Sequence, residues 1–539
     1  MPPKKKIDAT PSTMKELKDT LWKAADQLRG SMDASQYKDV ILGLVFLKYA
    51  SDAFEERRDQ IRFELSADGW DEDRIAQVID DNEEYVGHGV FWVPPAARWN
   101  HLATNAKGLP AAMGEPAKSI GQLVDEAMDL LMSANASLAA TLPRIYNRDN
   151  VDQRRLGELI DLFNSARFTG NGATKARDLL GEVYEYFLEK FALAEGKRGG
   201  EFYTPAGVVR VLVEVLEPTR GRVYDPCCGS GGMFVQTEKF LEAHKQEGSD
   251  IAVYGQESNE RTWRMAKMNL AIHGIDGQLG SRWGDTFARD QHPDMLADFV
   301  MANPPFNIKA WARNESDTRW KFGVPPATNA NYAWIQHIIS KLAPGGTAGV
   351  VMANGSLSSN SGGEGQIRAQ IVEADLVSCV VSLPTQLFRS TGIPVCVWFF
   401  AKDKAKGAMA TVDRTGEVLF IDARNLGHMV DRAERGLSDE DIAKIANAYH
   451  AWRGTASAAK AGLSYVDEAG FCRSVTLAEM KAADYALTPG RFVGAAEATE
   501  NDEPLNSRIE RLTAVLLGQL DESDLLADKV RTQLQRLDG

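Results

Sequence analysis

Asp298-Phe299-Val300-Met301-Ala302-Asn303-Pro304-Pro305-Phe306 reads as an apolar strand that stops at Asn303. Proline cannot continue a central strand, and the residue before it is pushed to extended geometry. The chain must therefore leave a sheet at Asn303, with that side chain near the carboxyl edge. In open α/β sheets this edge is where ligands bind. Outward from the stretch, short strands alternate with helices. Upstream, 222–225 is a strand, 226–232 a glycine-rich turn and 233–244 a helix; 251–256 is a second strand ending at Glu257, 259–273 a helix, and 281–284 a third strand ending at Asp285. Downstream, 331–342 is helical, 346–353 a strand, 366–373 a helix, and 376–383, 395–401 and 417–422 are further strands. The alternation predicts a mostly parallel sheet covered by helices on both faces.

The end of the quoted stretch offers an uncommon set of groups. Asn303 contributes a side-chain carbonyl, Pro304 a backbone carbonyl with no N–H of its own, and Phe306 a flat apolar face. Two acceptors beside a stacking ring suit a planar amino group. The lone pair of such an amine is delocalised, and acceptors holding its hydrogens favour the tetrahedral nitrogen that attacks a methyl donor. Asn303, Pro304, Pro305 and Phe306 are the candidate catalytic residues; the bland alternative is an ordinary strand-ending turn.

At 539 residues the chain has room for about three domains of ~150 residues each. Its 61 basic and 75 acidic residues leave a net charge of −14, which argues against strong autonomous binding to a polyanion. A nucleic-acid substrate would need a partner or a local basic surface. The five cysteines include no C-x-x-C pair and no cluster with histidines, so neither a metal site nor a disulfide framework is indicated. Apolar runs such as 40–47 and 394–401 are too short to span a bilayer, and the basic start at 2–6 lacks a following apolar region. The expectation is a cytoplasmic protein with a flexible tail over 1–12.

From 13 to 195 the pattern is helical throughout, which predicts an all-α domain with a structural or docking role and no chemistry of its own. Its helices are expected at 13–29, 35–58, 71–81, 120–131, 154–165 and 173–194, and the run 40–47, apolar on every side, belongs in the middle of a bundle. The linker at 197–205 ends in Thr204, suited to cap a helix, and Pro205, suited to its first position. A catalytic domain spans 196–426. Within it, 307–330 has no apolar period but carries Trp311, Arg313, Arg319, Trp320, Lys321 and Phe322, aromatics and cations that suit stacking on bases and contact with phosphates; the alternative is a mobile surface loop. From 427 to 539 the chain returns to helix, closing on a long amphipathic helix suited to subunit docking.

Asp225-Pro226-Cys227-Cys228-Gly229-Ser230-Gly231-Gly232 sits where a doubly wound fold places its nucleotide turn, yet it is neither a dinucleotide fingerprint nor a triphosphate loop. Carboxylates at successive strand ends decide the reading. Glu257 is placed to accept both hydroxyls of a ribose, Asp225 to face a cationic ligand, and Asp285 to accept from an adenine amine. A ribose, an adenine and a positive centre together describe S-adenosylmethionine. Cys227 and Cys228 are read as turn packing.

These residues, in the order Gly-Glu-Phe-Tyr-Thr-Pro, Asp-Pro-Cys-Cys-Gly-Ser-Gly-Gly-Met-Phe, Glu257, Asp285 and Asn-Pro-Pro-Phe, resemble the motifs of amino-group DNA methyltransferases. More closely they resemble the modification subunit of type I restriction-modification systems. The likeness covers nearly the whole chain, with Leu21-Trp22 and 37–51 at one end and Asp484-Tyr485-Ala486-Leu487 with the terminal helix at the other. It implies a Rossmann-like class I methyltransferase sheet with an N-terminal all-α domain and a C-terminal helical tail. It implies adenine N6 in double-stranded DNA as the target, and S-adenosylmethionine held by residues that match Gly200, Glu201, Phe202, Tyr203, Thr204 and Pro205, then Ser230, Gly231 and Gly232, and Glu257. It also implies two such subunits on one specificity subunit, with cutting left to a restriction subunit that carries motor and nuclease. The rivals are a protein glutamine N5 methyltransferase, usually shorter and with Tyr at the position of Phe306; a cytosine N4 methyltransferase, usually with Ser at the position of Asn303; and a non-catalytic helical scaffold.

Overall fold

The computed structural model describes residues 14–26, 34–112, 116–165, 176–195, 204–243, 251–388, 392–407, 410–432 and 434–495, with scattered helical positions between 509 and 526. The expected tail at 1–12 and most of the terminal helix lie outside the described residues.

The first part is a bundle of α1 (Met14–Asp26), α2 (Ala34–Ala67), α3 (Glu72–Val78), α4 (Glu83–Val86), α5 (Trp99–Thr104), α6 (Ile120–Ala134), α7 (Gln153–Ser165) and α8 (Ala176–Glu195). α2 runs past its expected end at 58 to Ala67. The apolar run puts it in the middle: Val40, Ile41, Leu42, Leu44, Val45, Phe46 and Leu47 are all completely buried. α6 starts on a capping box in which Ser119 accepts from the Gln122 N–H and the Gln122 side chain accepts from that of Ser119, which satisfies two of the free amides at the helix start.

The second part follows in the order α9 (Ala206–Leu216), β1 (Gly221–Asp225), α10 (Gly232–Ala243), β2 (Ile251–Gly255), α11 (Glu260–Ile272), β3 (Gly277–Gln278), β4 (Ala297–Ala302), α12 (Asn331–Lys341), β5 (Leu342–Ala353), α13 (Glu364–Glu373), β6 (Val377–Ser382), β7 (Val395–Ala401) and β8 (Glu417–Asp422). A small ribbon of β9 (His428–Met429) and β10 (Arg435–Gly436) precedes α14 (Asp439–Arg453), α15 (Ala456–Ala461), β11 (Cys472–Thr476) and α16 (Leu477–Ala482). The strands form one sheet of nine in the order β11-β8-β6-β7-β5-β4-β1-β2-β3. It is parallel except that β7 runs against β5 and β6, and β11 against β8.

Successive side chains of a strand point to opposite faces, and the core divides accordingly. Val223, Phe299, Met301 and Val397 pack with α9 and α10 on one face, while Tyr224, Val300, Trp398 and Phe400 pack with α12 and α13 on the other. α11 has two partners: Trp263, Ala266 and Leu270 face the sheet, whereas Met265, Met268 and Ile272 join the core of the helical bundle. That shared helix fixes the bundle against the sheet.

Three expectations need correction. The strand expected at 281–284 does not form, and the third strand is the two-residue β3. The Gln256 side chain, donating to the carbonyls of Gly284 and Arg289, tethers that segment in place of a strand ladder. The return to helix from 427 misses β11, whose five residues Cys-Arg-Ser-Val-Thr are too short and too polar for an alternating signal and form a strand because β8 has an open edge. Thr204 does not cap α9: the helix begins at Ala206 after Pro205 with no side-chain cap, because the Thr204 hydroxyl is engaged elsewhere. Among the described residues, no helix is long and apolar enough to cross a membrane.

Candidate active site

The chain passes from β1 outward to β2 and β3, then returns to lay β4 on the other side of β1. Strand order reverses there, and the loops leaving β1 and β4 part to open a crevice at the carboxyl edge. A cleft of about 380 Å³ occupies it. Ser230, Glu257, Asp285, Asn303, Pro304, Pro305 and Phe306 all line this cleft. Asp225, Thr204 and Gly232 line a smaller recess of about 80 Å³ that shares Gly229, Ser230 and Asn303 with it. Gly231 stands between them in the turn, at φ +83°.

On the β4 side the chain leaves the sheet at Asn303 as expected. The Asn303 Nδ2 donates to the Thr204 hydroxyl at 2.9 Å, while its Oδ1 is buried and has no hydrogen-bond partner among the described residues. One end of the amide is therefore anchored and the other presents an unmet acceptor. Beyond Phe306, Asn307 adopts φ +57°, a left-handed conformation that Asn tolerates better than most residues. It is pinned from α12: the Asn307 N–H donates to Asn331 Oδ1, and Asn331 Nδ2 donates back to Asn307 Oδ1. Because β7 is antiparallel, the loop before it reaches the same sheet edge, and Phe388 from that loop meets Phe306 edge to face at 6.2 Å.

On the β1–β2 side the glycine turn is closed by Glu257. Its carboxylate accepts from the Gly229 N–H at 3.1 Å, the Asn259 N–H at 2.8 Å and the Ser258 hydroxyl at 3.2 Å. Gly229 needs its glycine, with φ at +55°, and a Cβ built there or at Gly232 would meet no atom of the described residues within 4 Å. The turn thus faces open space into which a ligand fits. Asp225 is buried and accepts from the Cys227 N–H. Burial, with the Glu257 charge nearby, pushes its carboxyl up to about 7. Burial also raises the thiols of Cys227 and Cys228 well above their usual range, so both are neutral and unreactive. Asp285 turns its Oδ1 back to accept from the N–H groups of Phe287 and Ala288, leaving Oδ2 for the cleft.

The segment 307–330 packs its rings on one another, with Trp311 also in the cleft wall. Trp311 and Trp320 pack on Phe287, at 5.0 and 6.3 Å, and Trp334 of α12 completes the cluster at 4.4 Å. Arg319 turns inward. It pairs with Asp317, donates to the carbonyls of Thr286 and Phe287, and meets His337 Nδ1 at 3.0 Å, where burial and the guanidinium depress the imidazole to about 3. Apolar contact among the rings outcompetes exposure to a partner, and the clamp fixes the turn that carries Asp285.

Several lining residues escape sequence reasoning. Phe287, Ile308, Trp311 and Trp334 form an apolar wall of the cleft, and Lys38 of α2, Leu188 of α8 and Met265 of α11 close it from the helical bundle. The bundle therefore contributes to the wall of the cleft. Lys38 precedes the all-round apolar run by two residues, and nothing in that pattern distinguishes it from a solvated lysine. Of the linker residues, Gly200, Glu201, Phe202 and Tyr203 lie outside the described residues; Thr204 reaches the site, and Pro205 starts α9.

The profile of the N-6 DNA methylase family matches residues 175–501, and that of the HsdM N-terminal domain matches residues 17–163. The type I restriction enzyme HindI methylase subunit of Haemophilus influenzae is 45% identical over 454 residues, which cover 82% of this chain and 99% of the relative. The type I restriction enzyme MjaIX methylase subunit of Methanocaldococcus jannaschii is 36% identical over 536 residues, covering 97% of this chain and 91% of the relative. Among solved structures, a type I restriction-modification system methyltransferase subunit from Streptococcus thermophilus has the same fold, with a TM-score of 0.69 at 23% identity over 89% of this chain and all of that one.

Proposed function

This chain belongs to the N-6 DNA methylase family as a methylase subunit of the type I restriction enzymes, a DNA adenine-N6 methyltransferase, and from that premise we propose how its residues perform the transfer. The observation that carries the reading is the Asn303 amide, anchored through Nδ2 on Thr204 with a buried, unmet Oδ1 at the cleft. A base within a duplex cannot present its amine there, so the target adenine is flipped out and stacked on Phe306. Asn303 Oδ1 and the Pro304 carbonyl accept the two amine hydrogens, drawing the nitrogen lone pair out of conjugation as it becomes tetrahedral. Pro305 keeps the turn stiff and has no N–H to compete for those acceptors.

The residues present fit S-adenosylmethionine, whose sulfonium supplies an activated methyl group when bound. Glu257 takes the ribose hydroxyls, Asp285 Oδ2 an adenine amine, the turn Ser230–Gly231–Gly232 the amino-acid end, and Asp225 the positive charge. The linker residues Gly200 to Pro205 cover the ligand in this reading. A net charge of −14 favours double-stranded DNA being held by an assembly. The proposed partners are a specificity subunit, a restriction subunit and a second copy of this chain, in the cytoplasm where the DNA lies, with the segment after 501 docking to the specificity subunit.

The test is radiolabelled methyl transfer to DNA by the assembled complex, followed by nucleoside analysis of the product. N6-methyladenine is expected, lost in Asn303→Ala. N4-methylcytosine as product, or near wild-type transfer in Asn303→Ala, overturns the reading.

A further inference from the structure

The recess behind the glycine turn is lined by carboxylates, amides and hydroxyls, Thr204, Ser230 and Gln236 among them. Glu185, Asp225, Asn269 and Asn303 face it, and among the described residues that line it there is neither Lys nor Arg. Glu185 comes from α8 and is already held by Lys239 and His273. Asp225 has the Cys227 N–H. Asn269 differs from both. It sits in the second half of α11 at 2% exposure, its Nδ2 donates to the Ser230 carbonyl at 2.9 Å, and its Oδ1 has no hydrogen-bond partner among the described residues. Buried amide oxygens are nearly always met, and an unmet one destabilises the fold. The Ser230 bond decides which end of the amide is left over. A carbonyl oxygen in a recess that Glu185 and Asp225 also line, with no Lys or Arg among the described lining residues, suits a donor with positive charge.

We propose that Asn269 Oδ1 accepts a hydrogen bond from the α-ammonium group of the cofactor's amino-acid end. This rests on the reading of S-adenosylmethionine above. The recess opens toward Asn303, where the methyl group must lie, and on its other side the cleft continues to Glu257, where the ribose lies. The remaining end of the ligand is the amino acid. Asn269 acts in recognition and touches no reacting atom, so no bond is made or broken at this position.

A ligand-and-residue cycle tests the inference by calorimetry on the full chain, with no turnover involved. S-adenosylhomocysteine and its analogue lacking the α-amino group are titrated into the wild type and into Asn269→Ala, with Asn269→Ser as a second variant that retains a small polar side chain. In the wild type, deleting the ammonium is expected to weaken binding about tenfold, the scale of one charge-assisted hydrogen bond. In both variants that difference is expected to shrink severalfold, because one partner of the ammonium is gone while Asp225 remains. The same ammonium dependence in variants and wild type overturns the role of Asn269, leaving it a support for Ser230. A wild type that binds neither ligand overturns the cofactor reading instead.

Discussion

Glu257 and Asn303 stand at strand ends on either side of β1, and they are satisfied to opposite degrees. Glu257 accepts from three donors of its own chain, two of them backbone amides. Among the described residues Asn303 has one bond through its nitrogen and a buried oxygen with none. The difference separates two ways of building a site. On the proposed cofactor side the carboxylate is also structural, since it ties the glycine turn to the end of β2. On the proposed substrate side the fold holds an acceptor in reserve, which an arriving donor would satisfy. An interaction that strengthens on the way to the transition state lowers a barrier, whereas one already made lowers none.

Breaking the substrate side has the largest expected effect. Asn303→Ala removes the reserved acceptor, and transfer is expected to fall ~100-fold or more, with cofactor affinity unchanged in the same preparation. Glu257→Ala tests the other side: a loss of about 2 to 3 kcal/mol in cofactor binding is expected from charge-assisted hydrogen bonds, read by calorimetry. Glu257→Gln, which retains the shape, separates loss of charge from release of the Gly229 turn. Phe306→Ala is expected to weaken capture of the flipped base by about 1 to 3 kcal/mol, measured as DNA affinity of the complex with the base already mismatched. Thr204→Val frees the Asn303 amide to rotate, and kcat is expected to drop by roughly tenfold, the worth of one hydrogen bond; Thr204→Ser should restore it.

Asp225 gives the smallest effect and the one with a pH signature. Its carboxyl stays protonated up to about 7 in the folded chain. An unfolded Asp ionises near 4, so burial of this group costs stability that is absent below about pH 4 and grows as pH rises toward 7. A bound cation favours the ionised form, so cofactor affinity is expected to tighten severalfold, up to about tenfold, between pH 6 and 8. Asp225→Asn should bind with no such slope. A wild-type affinity flat across that range removes Asp225 from the cationic end of the ligand.

The alternation around Asp298–Phe306 was legible because each strand is an apolar run ended by Gly, Pro or an acidic residue, and these punctuate structure locally. Asn303, Glu257 and Asp285 were legible as strand-end residues for the same reason, although Asp285 reaches the cleft through Gln256 and not from a strand. The Thr204–Asn303 bond was not, because its partners are 99 residues apart and only the packing of α9 beside β4 joins them. The mutual packing of Trp311, Trp320 and Arg319 was not legible, because aromatics interleaved with cations give one pattern whether they face a partner or each other. Lys38, Leu188 and Asn269 sit on helices whose periodicity reports burial and says nothing of what the buried face meets.

α2 has a mechanical consequence. Lys38 at one end lines the cleft, and Phe63 near the other is 76% exposed. At the helix rise of 1.5 Å per residue they lie about 38 Å apart along one unbroken rod. Buried side chains recur along it past the apolar run, at Ala50, Phe54 and Ile61, so the bundle grips the rod over most of its length. A displacement of Lys38 along the helix axis carries Phe63 with it, and α2 is in this sense a strut with one end in the cleft wall.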